Sequence, residues 1–404
     1  MSTSLLYHGF GIRGYQYVRT QYLGGEVIFT IQHDPHELLC PACGSRKVIR
    51  RGQVERRFKT LPIGGKPVWI LLGIQRIFCL LCGVVRQVRL DFADHRRSYT
   101  KAFERYALEL LQHMTMLDVA HHLGVSWGLI KDVQERNLFR RFSRPKLKQV
   151  RRIAMDEISI GKGHRYLTIV LDLDRGAVVF VGDGKGGEAL RPFWRRLKRS
   201  RAKIEAVAID MSPAYIRAVA DYLPSAAVIF DHFHVVKLYN DKLSDLRRTL
   251  YQQAATKGDK QVIKGTRWLL LKNPENLDPK RQEPQRLQDA LDLNRPLAAA
   301  YYMKEDLRRL WSQPDKAAAF DFLKDWVYRA GSSGVHMLQK FAETLAIHYK
   351  GILAYYDHPI STAPLEGTNN KIKTMKRQAY GFRDIAFFKL KIMAIHQAKY
   401  ALVG

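Results

Sequence analysis

The sequence predicts a multidomain α+β protein, and three observations predict it. All four cysteines fall in two C-x-x-C pairs, Cys40/Cys43 and Cys79/Cys82, on a stretch rich in alternating β-type residues. Behind them the pattern turns helical, with a tight "LGVS" turn between two short amphipathic runs. From about Val150, strand-like runs first follow one another and then alternate with helical runs, until a long helical stretch breaks them. These changes divide the chain into an N-terminal segment with the cysteine pairs (1–95), a helical hairpin with a basic linker (96–149), a first α/β part (150–238), an all-helical insertion (239–350) and a closing α/β part (351–404).

The bulk numbers narrow the function. At 404 residues with 46% hydrophobic composition, the chain can build several buried cores, which argues against wholesale disorder. No apolar run reaches the length that crosses a bilayer, and the first residues lack the basic-then-apolar order of a secretory signal, so an intracellular protein without a membrane partner is expected. Lysine and arginine number 67 against 38 acids, a net charge of +29. Such an excess repels itself unless a polyanion neutralises it, and nucleic acid is the usual one. A generally sticky basic protein is the plain alternative, and the separate motifs argue against it.

Each cysteine pair is followed by a glycine, in "CPACGS" and "CLLCGV". Four thiolates at this spacing can meet one zinc ion tetrahedrally while Gly44 and Gly83 let the backbone turn around it. The stretch between the pairs, "VIRRGQVERRFKTLPIGGKPVWILLGIQRIFC", reads as a long basic β-hairpin, so the whole reads as a zinc ribbon. His33 and His36 lie nearby but are not needed, because four cysteines complete the site. Next, "KAFERYALELLQHM" puts Phe103, Tyr106, Ala107, Leu110 and Leu111 on one helical face. A short helix around Leu117–His122 then runs into the turn at Gly124, and Ser126 caps a second helix that carries Leu129, Ile130 and Val133 inward. This is a helix-turn-helix pattern, with Ser126, Trp127 and Lys131 at the end offered to a major groove.

"RRIAMDEISI", "RYLTIVLDL" and "AVVFVGDG" read as three strands, the last two joined by a turn at Asp174–Gly176 that implies antiparallel pairing. "IEAVAID" and "AAVIFD" follow, separated by helices, in the order of a ribonuclease-H-like sheet. Asp156 lies in the first strand and Asp210 ends the fourth, and those strands are neighbours in such a sheet. Glu157 would point to the other face, since successive strand residues alternate. Glu366 stands alone among lysines and arginines near the C-terminus, sharing a helical stripe with Asn370, Lys373 and Arg377. Three hard oxygen donors suit magnesium, and the amide and cations beside Glu366 suit a DNA backbone. Trp268, in "RWLLLK", is expected to pack in the core, with stacking on a flipped or distorted DNA base near the cut as the alternative.

The blocks "MDEISIGKGHRYLTIVLDLDRG", "AIDMSPAYIRAV", "IFDHFHVVKLYNDKLSDLRR", "RWLLLKNPENL" and "STAPLEGTNNKIKTMKRQAYGFRD" resemble those of ISL-three-type insertion-sequence transposases, and so does the cysteine ribbon with its following helices. The resemblance implies a DDE transposase of the bacterial cytoplasm, associated with the nucleoid through DNA. Its catalytic triad would be Asp156, Asp210 and Glu366, working with two magnesium ions for which manganese can substitute, beside a structural zinc. Its partners would be double-stranded element ends and target DNA, joined in a homodimer or larger synaptic assembly. Related insert-bearing transposases carry an Asp-x-x-His signature after the fifth strand, which Asp231 and His234 match as catalytic support. Two other functions fit the same residues: a zinc-dependent DNA-binding regulator with an inert core, and a structure-selective nuclease that never rejoins strands.

Overall fold

The computed structural model describes residues 3–161 and 163–396. They form two compact units, Met1–Ser143 with Thr374–Gly404, and Arg144–Lys373. The first unit opens with α1 (Thr3–Phe10) and a five-stranded sheet of β1 (Tyr15–Leu23), β2 (Glu26–His33), β3 (Val48–Ile63), β4 (Lys66–Cys79) and β5 (Val85–Gln87). The strand order is β1-β2-β4-β3, with β5 also on β4. β3 and β4 are the long hairpin expected from the sequence, closed by Gly64 and Gly65 at φ 56° and 79°. Along β4 buried and open positions alternate, so one face of the hairpin carries Val68, Ile70, Leu72 and Ile74 into a core with Phe29 and Phe58. Most of β3's arginines stay in solvent.

Three helices follow: α2 (Lys101–Leu110), α3 (Met116–Leu123) and α4 (Trp127–Phe142). Thr100 caps α2, its Oγ1 accepting from Phe103 N at 3.1 Å. Gly124 ends α3 in the left-handed conformation at φ 59°, which a residue with a Cβ adopts at a cost. Ser126 Oγ then accepts from Leu129 N at 3.3 Å and starts α4, as the sequence predicts.

The second unit is built on β6 (Arg152–Gly161), β7 (Arg165–Asp172), β8 (Ala177–Asp183), α5 (Gly187–Ser200), β9 (Ala206–Ile209), α6 (Pro213–Tyr222) and β10 (Ala227–Phe230). The sheet order is β10-β9-β6-β7-β8. β6, β7 and β8 are antiparallel, while β9 and β10 run parallel to β6. Trp194 and Leu197 of α5 and Tyr215 and Val219 of α6 belong to this unit's buried core. All five strands expected from the sequence are present, in the expected connectivity.

Helices α7 (His232–Gln253), α8 (Lys257–Gly265), α9 (Glu283–Leu293), α10 (Arg295–Arg308), α11 (Lys316–Gly331) and α12 (His336–Leu353) follow without an intervening strand. Trp326 is fully buried and donates its indole N–H to Met303 O at 3.0 Å, while the Tyr239 hydroxyl donates to Ala300 O at 2.7 Å. Gly351 lets α12 close on β10: a Cβ there would lie 2.5 Å from the Phe230 ring. Trp268 does not pack in this core. It is 65% exposed with the Arg267 guanidinium 4.8 Å from its ring centre, because Leu269 and Leu270 take the inward positions that follow it. Helix α13 (Ala363–Gln378) begins in residues of the second unit and ends in residues of the first, and α14 (Ile385–Ala394) belongs to the first.

Candidate active site and metal centre

The two cysteine pairs form one cluster. Cys40 Sγ lies 3.6 Å from Cys82 Sγ and Cys43 Sγ lies 3.5 Å from Cys79 Sγ, and all four sulfurs are within 4.8 Å of one another. Four thiolates at a Zn–S distance of about 2.3 Å define a tetrahedron with edges of roughly 3.8 Å, so these spacings fit a zinc ion and are far too long for disulfides. The two knuckles repeat each other. Gly44 N donates to Cys40 O and Gly83 N to Cys79 O, each at 2.9 Å, and both glycines have positive φ. The Cys43 backbone N–H lowers the Cys40 thiol and the Cys82 N–H lowers Cys79, while burial and the neighbouring thiols push Cys43 and Cys82 up. Thiolates are the form a metal takes.

At the start of α4, Trp127 is 46% exposed, and Ser126 is exposed with its hydroxyl spent on the cap. Lys131 is less open than the sequence suggests: its Nζ lies 2.6 Å from Asp384 Oδ2.

The acids are positioned by β6, β9 and α13. β6 and β9 pair in parallel with Ala154 opposite Ala208, and the same register continued two residues would set Asp156 level with Asp210, which directly follows β9. Burial pushes the Asp156 carboxyl above its usual value and the Asp210 charge adds to that, while the Glu157 backbone N–H and His234 act against it. Glu157 serves the opposite face. Its Oε1 accepts from Gly186 N and from the Tyr215 hydroxyl, both at 2.9 Å, tying α5 and α6 to the sheet.

Glu366 is exposed in the first turn of α13, and Asn370, Lys373 and Arg377 are exposed further along the same helix. Two contacts fix that helix, and the sequence points to neither. Asn369, 5% exposed, donates Nδ2–H to Asp156 Oδ2 at 2.8 Å. Thr362 donates its hydroxyl to Asp231 Oδ2 at 2.5 Å, just before α13 begins. Asp231 is buried directly after β10, with its Oδ1 3.4 Å from His232 Nδ1, and His234 follows in the first turn of α7. A threonine one residue before a helix with a proline in its first turn is a helix-start signal, and it could have marked Thr362. Nothing local marks Asn369 over Asn370.

Among the described residues, the cysteines are the one group of three or more His, Cys, Asp or Glu whose ligand atoms all lie within 4.8 Å. Asp156 and Asp210 lie close enough for their charges to interact, but with Glu366 they do not form a group at that spacing. Like charges resist closer approach unless a cation lies between them. The donor set fits a hard divalent ion: carboxylate oxygens on neighbouring strands, and a buried Asn369 Oδ1 that has no hydrogen-bond partner.

Comparison with known proteins follows the same order along the chain. Residues 153–392 match the DDE-type ISL3 family model, described as "Transposase". Residues 88–136 match the "Helix-turn-helix domain of transposase family ISL3", and residues 37–82 the "zinc-finger of transposase IS204/IS1001/IS1096/IS1165". Over 360 residues the chain is 35% identical to the transposase for insertion sequence element IS1001 of Bordetella parapertussis, covering 88% of each. It is 27% identical over 371 residues to the transposase for insertion sequence element IS1557 of Mycobacterium tuberculosis, covering 85% of this chain and 82% of that one.

Proposed function

The chain belongs to the ISL3 family of transposases, and from that premise we infer that it cuts and rejoins DNA with Asp156, Asp210 and Glu366 as its catalytic acids. The core that carries them is read as ribonuclease-H-like, a reading supported by the sheet order β10-β9-β6-β7-β8. The observation that carries the proposal is the bond from Asn369 to Asp156, which ties the helix bearing Glu366 to the strand bearing Asp156.

Magnesium, or manganese in its place, would be held by the three carboxylates, and when bound it activates the attacking oxygen and stabilises the leaving one. The protein's own groups do the rest. Asn369 holds one Asp156 oxygen so that the other faces the site, and Thr362 anchors the start of α13 to the buried Asp231. His234 offsets negative charge beside Asp156. Asn370, Lys373 and Arg377 hold the phosphates flanking the cut, where added salt should weaken binding steeply. Zinc, held by Cys40, Cys43, Cys79 and Cys82, braces the ribbon. With the helix-turn-helix end at Ser126, Trp127 and Lys131, the ribbon finds the element's terminal inverted repeats. Water opens the first strand, and the freed 3′-hydroxyl attacks target DNA in a dimer or larger assembly that holds both ends.

The test combines labelled element ends, magnesium and a supercoiled target, scored for nicks and for joined product. The wild type should give both products, and Asp210→Asn and Glu366→Gln should give neither while still binding the ends. Binding without either product in the wild type would point to a regulator. Cleavage of arbitrary substrates without joining would point to a nuclease.

A further inference from the structure

The last turn of α13 breaks a rule of helix endings. Gly381 N donates to Lys376 O at 2.9 Å and Tyr380 N to Arg377 O at 3.1 Å, the paired bonds of a Schellman motif. The residue at Tyr380's place in that motif takes a left-handed backbone, and glycine is the usual occupant. Here φ is 51° on a tyrosine, a conformation that costs a residue with a Cβ about 1–2 kcal/mol. Packing does not explain the choice, because the Tyr380 side chain is fully exposed. A strained position that presents an unpacked aromatic ring is a signal of function.

Tyr380 borders a cleft of about 760 Å³ between the start of α4 and the segment Gln378–Phe387, all within the first unit. Its walls include Trp127, Phe382 and Phe387, with Lys131 and Arg383 beside them. Phe382 is a rigid surface, stacked on Phe388 with ring centres 4.4 Å apart and planes at 16°. The one acid in the cleft, Asp384, has its charge taken up by Lys131 at 2.6 Å and by the Phe387 N–H at 2.9 Å, so the wall does not repel an anion. Aromatic faces beside an exposed arginine match a base with its phosphate, and a stacking surface accepts any base because each has a π face. A duplex keeps its bases paired and stacked, so the matching ligand is an unpaired one.

We propose that this cleft binds an unpaired nucleotide of a DNA strand, with the base stacked on Tyr380 and the phosphate held by Arg383. The proposal deepens the transposase reading and rests on it only for DNA as the ligand.

The test uses the full zinc-loaded chain carrying Glu366→Gln, without added magnesium or manganese, so that no cleavage contributes and failure of the catalytic reading leaves the result intact. Fluorescein-labelled single-stranded oligonucleotide and the duplex of the same sequence are titrated at one fixed salt concentration. Tyr380→Gly should weaken single-strand binding about tenfold, the scale of one lost base stack, and leave duplex binding within about twofold. Tyr380→Phe should bind as the parent does. Tyr380→Gly should melt no lower than the parent, because glycine relieves the backbone. An unchanged single-strand affinity, an equal loss on duplex, an equal loss in Tyr380→Phe, or a lower melting temperature in Tyr380→Gly would each overturn the proposal.

Discussion

Two acids that are neighbours in sequence, Asp156 and Glu157, should respond to substitution in opposite ways. Glu157 Oε1 accepts two hydrogen bonds at 2.9 Å, from Gly186 N and from the hydroxyl of the buried Tyr215. Removing the carboxylate in Glu157→Ala leaves that hydroxyl buried without a partner and frees the start of α5. A hydrogen bond to a charged group is worth about 1.5–3 kcal/mol, and Glu157 is half-buried, so a loss of about 3 kcal/mol is expected for the pair. Glu157→Gln keeps an acceptor oxygen and should recover most of that loss. Asp156→Asn removes a charge that burial already disfavours, so stability should hold or rise while strand cleavage disappears. Urea unfolding followed by tryptophan fluorescence reads the first quantity, and cleavage of labelled element ends reads the second. Cleavage lost in Glu157→Gln at unchanged stability, with Asp156→Asn still active, would refute the assignment of the two faces.

Three other perturbations test the fold around the site. Thr362→Val removes the hydroxyl that Asp231 Oδ2 accepts from and should cost about 2–3 kcal/mol in urea unfolding, while Thr362→Ser should restore it. Cys43→Ser, or excess chelator, should release zinc in a colorimetric assay and expose the hairpin around residues 37–82 to protease; a hairpin that stays resistant without metal would argue against a structural ion. Lys391 is fully buried, and burial pushes its ammonium down to about 8. The unfolded value is near 10.4, so the unfolded chain binds more protons between the two values and stability rises with pH across that window, by about 2 kcal/mol from pH 8 to 10. Denaturant midpoints at the two pH values should show the rise, and Lys391→Met should flatten it.

What was legible in the sequence was local. The cysteine spacing, the glycine after each pair, the alternation along β4 and the Ser126 cap each depend on residues a few positions apart, and the structure keeps all of them. Trp268 shows where local reading fails: an apolar run states how much must be buried, not which member turns outward.

By itself the sequence determined the order of the ribbon, the helical hairpin and the strands, and it singled out the four cysteines that cluster in the ribbon. Tertiary structure alone decided that Asn369 rather than Asn370 touches Asp156, that Asp384 answers Lys131, and that Tyr380 borders the cleft at Trp127. Neighbouring residues on a helix differ by about 100° in direction, so the face that meets a distant strand is set by packing of the whole unit. Propensity and spacing act over a turn or two, while each of these contacts joins residues more than two hundred positions apart, and only the closed core brings them together.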